Sequence, residues 1–407
     1  MTDPGRVAGG SPRPERASLA ILFGVVIVDL VGFGIVMPIL PFYADEHGAS
    51  ATVLGAIFTV YAAAQFVCAP LWGRLSDRIG RRPVMLGTIA GTALSLLLLG
   101  LAPSLPWILA ARCLAGAFAA NIGVASAYIA DATPDEERTR WMGMLGASFG
   151  VGFVLGPAIG GILAPYGHAV PMLAAAGLAT VNLGFAAFSL REPPRHAATA
   201  GGVPSTRAAV LRDPLVRRLC LVNLAFSVGV TQLETMFAFF MKDRFGYGVR
   251  DVAFFLAGMA VLMGVIQAGG MRALSARFPE RTLIVGGALL LAAGFGSLPE
   301  AGSLGPLLAA LVAAAVGRAI FQPALMSMTS VAAAAGARGA VMGTFQASAA
   351  IARVAGPLAA GWLYDRELAG PFWLAAVLCL VVAWTARGLP ARVAAAGSGA
   401  AGLETPT

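Results

Sequence analysis

Charge is what this 407-residue chain has least of. Only 12% of its residues are Asp, Glu, Lys or Arg, about half the share of an average soluble domain. Its mean hydropathy is +0.80. Together these values exclude a string of water-soluble domains. Histidine is rarer still: His47, His168 and His196 all fall in loop-like stretches and do not form a metal-binding set. The four cysteines, Cys68, Cys113, Cys220 and Cys379, show neither zinc nor redox spacing. No Ser/His/Asp arrangement is present, so the residues point away from an enzyme, a metal centre or a bound cofactor. Of the 28 basic residues only Lys242 is a lysine. The arginines are dispersed without interleaved aromatics, which argues against a nucleic-acid surface.

Apolar residues make up 58% of the chain, and they are grouped. Twelve runs of about 20 residues recur, near 18–40, 51–72, 83–102, 105–130, 140–163, 168–190, 218–241, 252–271, 283–299, 304–330, 340–364 and 371–387. Each is long enough to cross a hydrocarbon core of about 30 Å. The 51 glycines and 25 prolines suit membrane helices, where small residues let backbones approach. Arginine placement gives the orientation. With the N-terminus cytoplasmic, 21 of the 28 basic residues fall in inner segments and four in outer loops (Lys242, Arg244, Arg250, Arg366). Both termini are therefore expected in the cytoplasm. The Pro/Gly-rich residues 1–17 read as a tail and not as a cleavable signal, because the apolar run that follows is too long.

Two echoes reveal a duplication. Leu75-Ser-Asp-Arg-Ile-Gly-Arg-Arg82 aligns with Leu274-Ser-Ala-Arg-Phe-Pro-Glu-Arg281, and Gly156-Pro-Ala-Ile-Gly-Gly161 with Gly356-Pro-Leu-Ala-Ala-Gly361. Unrelated segments sharing one spacing imply two six-helix halves related by an axis along the membrane normal, with a substrate path between them. The expected fold is an all-α integral membrane protein of twelve helices in two pseudo-symmetric bundles, 18–190 and 215–388. A polar, basic linker spans 191–214 and a second tail 389–407.

Ionisable residues inside the bilayer are costly and mark function. Asp29 lies about 16 Å into the first run and Arg112 about 10 Å from the other face in the fourth, depths that allow a pair. By the same arithmetic Glu234 and Arg353 come to similar levels, whereas Arg318 finds no acid at its depth. Each of these charges serves either in proton coupling or as a static pair that fixes packing. The neutral polar residues Gln65, Asn121, Asn223, Gln232 and Gln267 are candidates for interhelical hydrogen bonds or substrate contacts. A small-residue stripe at 146, 150, 152, 156, 160 and 161, with Pro157, offers a close and bendable helix interface.

Four segments carry a family likeness: Gly73-Arg-Leu-Ser-Asp-Arg-Ile-Gly-Arg-Arg-Pro83, Asp29-Leu-Val-Gly-Phe-Gly-Ile-Val-Met-Pro38, Arg112-Cys-Leu-Ala-Gly116, and Gly146 through Gly161. In these the chain resembles the major facilitator superfamily, specifically its twelve-helix drug:proton antiporter branch, which includes the tetracycline exporters. The resemblance implies that the proton gradient supplies the energy, without a cofactor. It implies that Gly73, Asp77, Arg78, Gly80, Arg81 and Arg82 form a conformational motif, with Asp77, Arg81 and Asp131 in one latching charge network. It implies that Gly152, Gly156, Pro157, Gly160 and Gly161 form the antiporter-type motif of the fifth helix. In the second copy Ala276 replaces Asp77, so the latch should be one-sided.

The tetracycline exporters carry further ionisable groups in helices 3, 8 and 9. Here the third run reads Gly91-Thr-Ala-Leu-Ser95, the eighth reads Leu262-Met263-Gly-Val-Ile-Gln267, and the ninth has no acid. A cavity with three arginines and two acids leans neutral to positive. The expectation is a monomeric inner-membrane exporter of small amphiphilic organic compounds in exchange for protons. Proton-coupled uptake of a metabolite and a non-transporting membrane sensor stand as alternatives.

Overall fold

The computed structural model describes residues 13–193, 207–333 and 337–392; both expected tails and most of the central linker lie largely outside them. Twelve long helices result: α1 (Arg13–Glu46), α2 (Ala51–Ile79), α3 (Arg81–Gly100), α4 (Leu105–Ala132), α5 (Asp135–Leu163), α6 (Ala169–Ser189), α7 (Pro214–Phe245), α8 (Val249–Arg277), α9 (Glu280–Ser297), α10 (Leu304–Ala332), α11 (Arg338–Arg366) and α12 (Gly370–Ala386). Nine are long and apolar enough to span a membrane on those grounds alone, judged over the described residues. The other three are α9, which opens on Glu280-Arg281, α11, which carries Arg338, Arg353, Asp365 and Arg366, and α12, which has 17 residues. They pack in the same bundle as the other nine.

Local chemistry sets the helix ends. Ser50 caps α2, its Oγ accepting from the Val53 amide at 3.3 Å. Asp213 caps α7, accepting from the Leu215 and Val216 amides, with Pro214 in the first helical position. Gly246 closes α7 in the left-handed conformation. Helices overrun the apolar runs because polar residues continue them beyond the hydrocarbon. Thus Gly73 lies inside α2, and Gly80 (φ 112°) makes the α2–α3 corner.

Packing repeats between the halves. In the first, α1 packs on α5 and α6, and α3 on α4 and α6. In the second, α7 packs on α11 and α12, and α9 on α10 and α12. The halves meet along α2·α11 and α5·α8, which are exchanged by the same pseudo-symmetry. We call the face bearing the described chain ends the terminal face, and the one bearing the α1–α2 turn the distal face.

The bundle is closed at the distal face. The Asp365 carboxylate accepts from the Ala51 and Thr52 amides at 3.0 and 2.9 Å, Lys242 pairs with Asp45 at 2.5 Å, and Thr59 donates to the Val354 carbonyl at 2.9 Å. A Cβ placed on Gly55 would strike the Pro357 carbonyl oxygen, and one on Gly361 the Ala51 carbonyl oxygen. Nearer the terminal face the same helix pairs separate. Gly161 would meet Ala253 at 2.7 Å, whereas Gly146 and Gly150 on α5 and Gly264 and Gly269 on α8 face open space. Gly73 on α2 and Gly343 on α11 do likewise. The halves form a V, open toward the terminal face.

Candidate functional site

Midway across the bundle, α4 breaks. Ala119 leaves helical geometry (φ −76°, ψ 56°) and the helix restarts at Asn121. The freed carbonyls need donors in an apolar setting. Gln65 Nε2 donates to the Ala119 carbonyl at 3.0 Å, and Trp72 Nε1 to the Ala117 carbonyl at 2.6 Å. Gln65 is thereby engaged in holding the break. The restart aims Asn121 at α1, where its Nδ2 donates to Asp29 Oδ1 at 2.9 Å.

Arg112 sits on the segment before this break and is buried. Its guanidinium stacks over the Tyr61 ring, 4.3 Å from the centroid, and its Nε finds no hydrogen-bond acceptor. The expected Asp29–Arg112 pair does not form. Depth alone suggested it, but Arg112 turns toward α2 while Asn121 takes the carboxylate. Tyr61 also lies within electrostatic range of Asp29 and Arg353. Its ring is 6.2 Å from that of Phe33, which in turn lies 6.2 Å from Phe153.

In the second half Glu234 Oε1 pairs with Arg318 Nη1 at 2.6 Å, with side chains 37% and 31% exposed. This corrects two expectations: Glu234 does not join Arg353, and Arg318 does have an acid. Measured from helix ends, the two Cα positions differ by only about 5 Å in depth, within reach of both long side chains. Arg353 is exposed on α11. At 100° per residue it lies nearly opposite the exposed apolar Ile351, Leu358 and Trp362, so it faces the inter-half space and not lipid. Gln322, one turn from Arg318, and Gln346, two turns below Arg353, are exposed too. The sequence reading passed over both, because only the azimuth fixed by the fold marks them.

Two other candidates are structural. Asn223 Nδ2 donates to the Phe345 carbonyl and Ser348 Oγ, each at 2.9 Å, and Gln232 Nε2 donates to the Gly356 carbonyl at 3.2 Å. Both tie α7 to α11. Gln267 is exposed within a π-helical turn, Ile266–Gly270.

The α5 stripe divides its work. A Cβ on Gly152 would lie 2.5 Å from Leu30 Cβ, one on Gly156 2.5 Å from Gly34 Cα, and one on Gly160 2.9 Å from the Ile35 carbonyl oxygen. These three glycines, with Pro157 between them, seat α5 on α1. Gly161 instead faces α8 across the halves.

At the terminal end of the first half Arg81 gathers its neighbours: Nη1 to Asp77 at 2.5 Å and to Ser76 Oγ at 3.1 Å, and Nε to Asp131 at 2.7 Å. The acid that caps α3 is Glu192, which the sequence reading missed. It accepts from the Arg81 and Arg82 amides at 2.5 and 2.9 Å, while the Asp77 carboxylate is taken by the Arg81 side chain. Arg82 donates to the Ala187 carbonyl at 2.6 Å, fastening this corner to α6. Arg78 shares the corner on the last turn of α2.

With this geometry in view, the relatives are informative. A family model described as the Major Facilitator Superfamily matches residues 22–298 and 271–406. Tetracycline resistance protein, class D, of Salmonella ordonez is 31% identical over 359 residues, covering 86% of this chain and 91% of that one. Multidrug resistance protein 1 of Bacillus subtilis (strain 168) is 28% identical over 381 residues, covering 91% and 97%. Among solved structures, the human organic anion transporter MFSD10 (TETRAN) superposes with a TM-score of 0.68 at 27% identity, covering 92% and 99% of the two chains. A bacterial homolog to the human lysosomal transporter Spinster, inward-facing and occupied, reaches 0.79 at 15% identity over 93% and 97%; at that identity it speaks for the fold alone. Family model, long full-length matches and duplicated twelve-helix fold agree: this chain is a multi-pass membrane transporter belonging to the Major Facilitator Superfamily.

Proposed function

We propose that the protein exports small amphiphilic organic compounds from the cytoplasm in exchange for protons, by alternating access across a bacterial inner membrane. The 21-to-4 excess of basic residues supports a cytoplasmic terminal face, which makes the V an inward-open state ready to load from the cell. The similarity to tetracycline and multidrug resistance proteins supports export.

One observation carries the coupling step. Asp29 is held by the neutral Asn121 and, among the described residues, forms no ion pair. It can therefore gain and lose a proton without breaking a salt bridge. Glu234 cannot, since Arg318 holds it. Asp29, Arg112 and Arg353 all lie within electrostatic range of Tyr61.

Proton flux in everted vesicles, acid inside, tests this with a panel of lipophilic dyes and antibiotics. Substrate-triggered proton release should occur in the wild type and vanish in Asp29→Asn, while substrate counterflow persists. Coupled release that survives in Asp29→Asn would reject Asp29 as the proton site. Inward accumulation of substrate with protons in right-side-out cells would reject export.

A further inference from the structure

We infer that Arg353 is the anchor of an anion-binding subsite, and that the compounds carried are aromatic organic anions. This deepens the proposed export function and rests on it for the identity of the cavity.

Of five ionisable groups in the middle of the bundle, Glu234 and Arg318 neutralise each other. Asp29 is bound to Asn121. That leaves Arg112 and Arg353, and no carboxylate pairs with either among the described residues. An uncompensated guanidinium at membrane depth is expensive, and a transporter retains one where a ligand completes it.

Arg353 is exposed toward the inter-half space, while the outward turns on the same face of α11, Pro357, Ala360 and Tyr364, are buried. It therefore stands at the apex of the V, where the closed distal half meets the open one. From the opposite half Tyr61 is within electrostatic range of it, and beneath the Tyr61 ring lies the buried Arg112, its Nε orphaned. A ligand at this level touches both halves, which is the condition for a substrate to bias their rocking.

A guanidinium forks onto a carboxylate, sulfonate or phosphate through two parallel N–H···O bonds. On the facing half, Phe33, Tyr61 and Phe153 form a continuous aromatic cluster, suited to a planar apolar body. Gln346 and Gln322, exposed on α11 and α10, add neutral polar groups without adding negative charge. The ligand that fits has an aromatic body and one anionic group.

A matched series separates charge from shape: 1-naphthoate, 1-naphthamide and 1-naphthylmethylammonium, titrated calorimetrically into the full-length protein in nanodiscs. Naphthoate should bind at least about tenfold more tightly than the amide, the scale of a charge-assisted hydrogen bond. Arg353→Gln should abolish that preference while leaving the amide within about twofold, and Arg353→Lys should retain part of it. Arg366→Gln, on the distal surface beside Trp362, should change nothing. A wild type that binds the amide or the ammonium as tightly as naphthoate overturns the inference. So does anion preference surviving in a well-folded Arg353→Gln, or no binding by any of the three. Dye export in vesicles is scored separately: export without anion preference sinks this inference alone, and anion binding without any outward flux sinks the export reading alone.

Discussion

The distal closure depends on a carboxylate of one half capping a helix of the other, and its removal has a calculable effect. Asp365 accepts two amide hydrogen bonds at the start of α2, at the positive end of that helix dipole. Losing a capping carboxylate costs about 1 kcal/mol, and a charge at a helix N-terminus adds about 0.3–1 kcal/mol. Asp365 is exposed, so solvent screening argues for the lower end. A net loss of about 1 kcal/mol shifts a two-state equilibrium about fivefold. The closed state alone is stabilised by this contact, so Asp365→Ala should raise the distal-open population about fivefold, and Asp365→Asn, which keeps one acceptor, should fall between. Spin labels at Ser104 and Ser303 would report it. Both residues are exposed on distal loops and neither side chain caps its helix. The background would carry replacements of Cys68, Cys113, Cys220 and Cys379. A double electron–electron resonance distance distribution unchanged by Asp365→Ala would refute the reasoning, because it would mean the cap does not discriminate between states.

Other contacts give sharper yes-or-no outcomes. Gly156→Leu should cost about 1–3 kcal/mol through overpacking against Gly34 and lower the detergent melting temperature, while Gly150→Ala, which faces open space, should leave it unchanged. Glu234→Gln should destabilise the protein by about 1 kcal/mol by orphaning Arg318, and Glu234→Gln with Arg318→Gln should recover most of that in a thermal double-mutant cycle. Glu192→Ala removes two bonds from the start of α3 and should speed proteolysis at the α2–α3 corner, with a stability loss of about 1 kcal/mol.

The crossings were legible because hydrocarbon demands about 20 apolar residues each time, and the duplication because it repeats whole segments. Helix ends were less so: Gly73–Ile79 and Phe42–Glu46 are polar or mixed yet continue α2 and α1. The charge pairs were misread for a geometric reason. Depth along a helix is one coordinate of three, and azimuth depends on irregularities such as the break at Ala119 and the π turn at Ile266–Gly270, which have no strong local signal. That is why Arg112 was assigned to Asp29 and not to Tyr61, and Glu234 to Arg353 and not to Arg318. The Asp365 cap joins residues 314 and 313 positions apart, and nothing in either segment announces the other.

One more echo of the duplication lies in the corners themselves. The Arg82 amide is held by the Glu192 carboxylate at 2.9 Å, and its counterpart, the Arg281 amide, by the Ala391 backbone carbonyl at 3.5 Å. The same tether thus survives in both halves, ionic in one and neutral in the other, just as Asp77 became Ala276. Ionic strength screens the charge-assisted bond of the first corner more than the neutral bond of the second. Salt at the terminal face is therefore a one-sided handle: it weakens the first half's tether and spares the second's, so two bodies of common descent answer to different rules.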